Sequence, residues 1–316
     1  MALRVTAAAS AAAALVLALA TTASADVQVR RDLRPGDVVR TNGTALVVPA
    51  PGQFVTMQAL LSDGTQTVTA ETQRDGTVTL SEGGTEPDPI LGPETPDEPP
   101  LGRAIPACDD GAYARRAFSW SSWKYIKWKS TFHWRFRAST TPGNVSVDNA
   151  RDALRRAVWN IVDADNDCGL LDYVSATQYF DGDKPTSANI STDGLSCTTG
   201  DGISVVAFGR ADDGRFATTC LWGTDDGGTY GRITSSDTRL NSDRYSWYGL
   251  RPSGCQSRYS IEAVMTHAFG HTFGLANVSP EADHGWLTMS GTINGACQES
   301  ESTLGLGDVR GLQTLY

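Results

Sequence analysis

The chain has 316 residues and carries 36 acidic against 26 basic side chains, a formal charge of −10. Nucleic-acid binders present a basic surface, so this balance speaks against a nucleic-acid partner. The length suits one sizeable domain with a smaller companion.

In chain order, residues 1–25 read as a secretory signal. Arg4 gives a positive start, an Ala/Leu/Val run follows, and "TTASA" closes at Ala25, the three parts such a segment needs. No later stretch approaches the ~20 apolar residues of a spanning helix. The expected product is secreted and extracellular, without a transmembrane segment. In residues 26–83, "ALVVPAPGQFVTMQALL", "TQTVTAET" and "GTVTLSE" are short β-type runs divided by Pro-Gly and Asp-Gly turns. They predict a small β-rich N-terminal module, either a propeptide or an accessory unit. The Pro- and acid-rich residues 84–102 should stay extended and solvated. They form the linker to a main domain over 103–316.

That domain holds all six cysteines: Cys108, Cys168, Cys197, Cys220, Cys255 and Cys297. An even number without a CxxC pair, in an exported chain, points to three disulfides rather than a thiolate metal site. Fifteen pairings are open to six cysteines. The expected set is Cys108–Cys168, Cys197–Cys220 and Cys255–Cys297, the last bracing the segments around the histidine-rich stretch described below.

Residues 118–140 interleave aromatics with Lys and Arg. From Phe132 the alternation is strict, with Phe132, Trp134 and Phe136 on one side and His133, Arg135 and Arg137 on the other. Period two predicts a strand with one buried face; the competing reading is a stacking surface for a sugar or a single-stranded polymer. Residues 146–166 predict a helix, with Ala150, Leu154, Val158 and Ile161 at helical spacing, Ser146 and Asp148 as capping candidates and Gly169 beyond its end. "GISVVAFG" (202–209) reads as an apolar strand. The Asp-Gly loops "FDGDKP" and "TDDGGTYG" are candidates for calcium, although neither has the spacing of an EF-hand, and plain turns are the simpler reading.

Three of the four histidines fall within residues 267–284. His267 and His271 are four apart in "SIEAVMTHAFGHTFGL", which reads as a helix with Ser260 at its N-cap and Ile261, Val264 and Met265 on an apolar face. Residues i and i+4 lie one above the other on a helix, so both imidazoles would address one ion. Gly274 suits the left-handed turn that ends many helices, and such a turn would bring a residue about three later toward the same ion. Met289 follows in "LTMS". This pattern resembles the metzincin zinc peptidases, and within them the matrixin-like secreted bacterial branch, whose motif HExxHxxGxxH precedes a methionine turn. The resemblance covers roughly residues 105–316 and is specific over 260–291. It implies an α/β (α+β) domain with a twisted, mixed, mostly parallel sheet. The long early helix would be 146–166, the site helix 260–275 would lie under a cleft, and a short C-terminal helix would fall in 305–316. It further implies zinc as cofactor, Met289 beneath it, and an extended peptide or protein substrate beside an edge strand.

Two positions depart from that motif. The family's glutamate takes a proton from the zinc-bound water; its place is held by Ala268. The third ligand falls at Asn277. Positioned acid–base catalysis contributes about 10²–10⁴-fold, and a methyl group accepts no proton. Catalytic zinc usually takes three protein ligands plus water, and a neutral amide oxygen is a poor third. His284 is the candidate substitute ligand, and Glu281 and Asp283 are candidate substitute bases. Glu262 shares the helix but lies more than a turn away. The expected function is a secreted matrixin-like zinc metallopeptidase-family protein with peptidase activity lost or strongly reduced, a pseudoenzyme that still binds a peptide. Two alternatives stand beside it. One is an active zinc endopeptidase using His284 and a loop carboxylate. The other is an extracellular protein that binds a cell-surface polymer such as a glycan.

Overall fold

The structure is a computed structural model and describes residues 26–62, 64–82, 106–119, 124–278, 284–293 and 295–316. The expected signal 1–25 and linker 84–102 lie outside these residues, as do Glu281 and Asp283.

The Val- and Thr-rich runs before the linker form six strands: β1 (Asp26–Arg30), β2 (Val38–Thr41), β3 (Thr44–Val47), β4 (Gln53–Leu60), β5 (Thr65–Thr72) and β6 (Val78–Glu82). Asn42 and Gly43 both take positive φ between β2 and β3, as a tight hairpin turn of right-handed twist requires. After the linker come a short helix α1 (Pro106–Asp109) and strands β7 (Ala114–Arg115), β8 (Ala117–Ser119), β9 (Lys124–Lys127) and β10 (Phe132–Phe136). Helix α2 (Val147–Val162) precedes β11 (Gln178–Asp183), β12 (Ser196–Cys197), β13 (Ser204–Gly209), β14 (Ala217–Thr224) and β15 (Gly231–Asn241). Strands β16 (Ser246–Tyr248) and β17 (Arg258–Ser260), helix α3 (Ile261–Thr272), β18 (Leu275–Ala276) and helix α4 (Leu306–Leu315) complete the order.

The fold is mixed α/β. Its main sheet runs β1-β6-β5-β4-β14-β15-β13-β10-β11. Strands β11, β10, β13 and β15 are parallel to their neighbours, and β14 is antiparallel to β15. Parallel neighbours need a crossover, and α2 supplies it between β10 and β11. The N-cap predicted for α2 forms: Ser146 Oγ accepts from the Asn149 amide at 3.1 Å. Helices α2 and α3 pack on one face of the sheet with the larger core. The β2–β3 hairpin, joined by β12, covers the other face over Val55, Met57, Val205 and Ala207.

The β-rich N-terminal segment forms where expected but is not a separate body. Strand β4 pairs with β14 through eight residues, from Leu60 opposite Ala217 to Gln53 opposite Thr224. Phe54 and Leu60 enter the helix-side core and Val55 and Met57 the opposite one, so β4 is buried on both faces like any central strand. Strand β14 is therefore paired on both sides, with β15 and β4, and offers no free edge to an extended peptide.

Phe132, Trp134 and Phe136 are buried in the core. Phe132 meets Phe269 and Phe273 edge-on at 6.0 and 5.4 Å. This is the buried-strand reading of 132–136, and these rings are not available as a stacking surface. The three disulfides are Cys108–Cys168, Cys197–Cys220 and Cys255–Cys297, the expected set. No helix among the described residues is long and apolar enough to cross a membrane.

Candidate metal centre

Helix α3 begins where Ser260 Oγ accepts from the Ala263 amide at 3.2 Å. It ends at Thr272, and Gly274 turns the chain at φ +92°. A Cβ there would collide with the Ile126 carbonyl, so both angle and space require glycine. Strand β18 then runs antiparallel to β7, and the Val278 amide donates to the Met289 carbonyl at 2.9 Å. This return brings Asn277 and Met289 back to the helix.

His267 and His271 share one face of α3, with ring centroids 4.6 Å apart, and both are buried. His267 Nδ1 lies 2.8 Å from the Thr288 carbonyl and His271 Nδ1 3.1 Å from the Leu275 carbonyl. A carbonyl only accepts, so each Nδ1 carries the proton and each Nε2 keeps its lone pair. Ligating histidines are commonly oriented this way, the other ring nitrogen donating to a carbonyl. Burial pushes His267 down to about 4 against the Thr288 hydrogen bond. It pushes His271 well below its ordinary value, helped by His267 and Arg116 and opposed by the Leu275 carbonyl and the Asn277 side chain. Both rings are neutral at pH 7, as ligands must be.

His267 Nε2 and both polar side-chain atoms of Asn277 are buried without a hydrogen bond, yet Asn277 lies close enough to favour the charged form of His271. Beneath them, a Cβ on Gly270 would collide with Met289 Sδ, so glycine at 270 makes room for the thioether. His267, His271, Asn277, Gly274 and Met289 thus lie together around the C-terminal half of α3. As a zinc donor set they fit at two positions. The third, a neutral amide, does not match the imidazole or carboxylate that this ion prefers.

Among the described residues no Asp or Glu is grouped with the histidine pair. Ala268 is buried in the main core. Glu262 is committed to α2, where it pairs with Arg156 at 2.6 Å. His284 pairs with Asp110 at 2.8 Å. No group of three or more His, Cys, Asp or Glu able to hold an ion occurs among the described residues, so His284 is not grouped with the histidine pair. In the two Asp-Gly loops, Asp181 faces His133 at 3.0 Å, Asp183 faces Arg151, and Asp225 and Asp226 face Lys124 and Lys129 at 2.9 and 2.8 Å. The carboxylates considered for calcium are therefore ion-paired.

Three supports were invisible to motif reading. Asp308, in the first turn of α4, is fully buried. It accepts from the amides of Thr288, Met289 and Gly305 at 2.9, 3.1 and 2.9 Å, and burial raises it to about 6. It fixes the loop whose Thr288 carbonyl orients His267. Gln58 and Arg116 are the other two. With the Gln58 amide oriented so that its oxygen faces donors, that oxygen lies 2.8 Å from His271 Nδ1 and 3.1 Å from Arg116 Nε, and also meets Arg116 Nη2. The only sequence signal was an acidic residue in a helix's first turn for Asp308; nothing local marked Gln58.

No family model matches the sequence, and no characterised protein matches it.

Proposed function

We propose that this chain is a secreted protein of the metzincin zinc-peptidase type, matrixin-like in form, that does not catalyse peptide hydrolysis. The observation that carries the reading is the histidine pair: both rings are held in the ligand tautomer, while a buried methyl group at Ala268 stands where the proton acceptor belongs. The mostly parallel sheet beyond β14, the early helix α2, the glycine turn at 274 and Met289 under the histidines support descent from that class. The missing base removes about 10²–10⁴-fold by itself, and Asn277 weakens the hold on any metal further. Pairing of β4 with β14 supports loss of turnover as well, because main-chain capture of a substrate strand needs a free edge. Peptide binding at this edge is therefore conditional on displacement of β4.

The test is incubation of the purified, zinc-supplemented protein with an unfolded protein substrate, with and without chelator. Equal, background-level fragmentation in both samples is the expected result. Chelator-sensitive cleavage that persists through repeated purification would overturn the proposal.

A further inference from the structure

A cavity of about 500 Å³ lies on the face of the sheet opposite the histidines. Its walls include Val48 and Pro49 after the β2–β3 hairpin and the loop around Gly200; its floor includes Trp222, Thr224 and Ser235. The volume falls within the ~300–1,000 Å³ of small-molecule sites. Nothing in the peptidase reading uses it.

Three features point to a ligand. First, Ser235 Oγ and Thr224 Oγ1 are buried without a hydrogen-bond partner, and Ser235 is only 1% exposed. Buried hydroxyls left unpaired are costly, and a ligand hydroxyl would pair them. Second, the indole of Trp222 is held in place. A Cβ on Gly200 would stand 2.7 Å from the ring, so the glycine loop rests directly against it. Third, the pairing of β14 with β15 shifts register between Trp222 and Gly223. The extra residue, Thr234, donates its hydroxyl to the Trp222 carbonyl at 3.1 Å. Bulges of this kind re-aim side chains beside binding sites.

The lining fixes the chemistry. Among the described residues none that lines the cavity carries a charge, which disfavours phosphates, carboxylates and acidic sugars. A purely apolar molecule would leave Ser235 and Thr224 unpaired, the mismatch by which such sites reject analogues lacking a hydroxyl. A ligand with an apolar face for the indole and several neutral hydroxyls satisfies both. We infer that this cavity binds a neutral sugar unit, its C–H face on Trp222 and its hydroxyls toward Ser235, Thr224 and Gln53.

The test is titration of the intact protein with glucose, galactose, mannose, N-acetylglucosamine and cellobiose, with glucuronate as the charged control, read by ligand-observed NMR. At least one neutral sugar should bind with a millimolar or tighter Kd, and glucuronate should not. Trp222→Leu should weaken that binding about tenfold, a scale set by loss of a packed aromatic face. Because Trp222 also packs against the fold, Ala50→Trp is the second variant. Ala50 is exposed at the cavity wall, so the substitution fills the space without removing core contacts and should abolish binding. The inference is overturned if no sugar binds at ten times a millimolar Kd, or if binding is unchanged in Ala50→Trp. Capture of a neutral proline-rich peptide in place of every sugar would overturn it too.

Discussion

The amide oxygen of Gln58 lies 2.8 Å from Nδ1 of His271, so a strand from before the linker touches the helix that carries the site. Gln58 stands opposite Thr219 in the ladder between β4 and β14, and the same amide meets the buried Arg116. Gln58→Leu would remove an acceptor that Arg116 and His271 share while keeping the strand's shape. Loss of about 1.5–3 kcal/mol is expected, the usual contribution of a hydrogen bond to a charged group. Denaturant unfolding measures it; an unchanged midpoint would show that the contact carries no stability.

The same ladder predicts how the N-terminal segment behaves after a cut in the linker. Residues 26–83 contain no cysteine, so only non-covalent contacts hold them. With both faces of β4 buried, the two pieces should elute together in gel filtration under native conditions. Separate elution would mean that the segment is a detachable propeptide and that the edge of β14 becomes free.

Asp308 should give the stability a specific pH dependence. Its carboxyl is raised from 3.8 to about 6 in the folded state, so between those values the folded protein holds a proton that the unfolded chain releases. Stability therefore falls as pH rises through that window. Asp308→Asn lacks this term, and the histidines are common to both proteins. The native-minus-variant difference should be largest near pH 4, shrink by on the order of 2–3 kcal/mol toward pH 6, at about 1.4 kcal/mol per pKa unit, and stay flat above. Urea unfolding of both proteins across this range tests it; a difference that grows with pH would refute the assignment.

Metal retention separates the two positions that depart from the motif. Asn277→His supplies the third imidazole, so zinc per chain after equilibration and desalting should rise from well below one toward one. Adding Ala268→Glu should leave the metal content as it is and restore only the proton acceptor. Stoichiometric zinc in the native chain would point to a third ligand outside the described residues.

Much of this architecture was legible because it rests on local rules. Ser146 and Ser260 cap helices where the spacing placed them, Gly274 adopts the left-handed turn, and Met289 packs against Gly270 of the histidine helix. Pairings distant in sequence were harder to read. The β4–β14 ladder joins segments on either side of a Pro-rich linker, and the β-type run of β4 looks alike whether its neighbour is solvent or another strand. The aromatic–basic pattern at 132–136 was equally ambiguous until burial placed Phe132, Trp134 and Phe136 inside. Asp308 was missed because its partners are backbone amides, which no side-chain motif records.

If the scaffold persists without catalysis, zinc-supplemented native protein, cut in the linker and incubated with an unfolded protein substrate, should produce no chelator-sensitive new peptide termini by mass spectrometry. Termini that appear with zinc, vanish with chelator and disappear in His267→Ala would show instead that the site hydrolyses peptides.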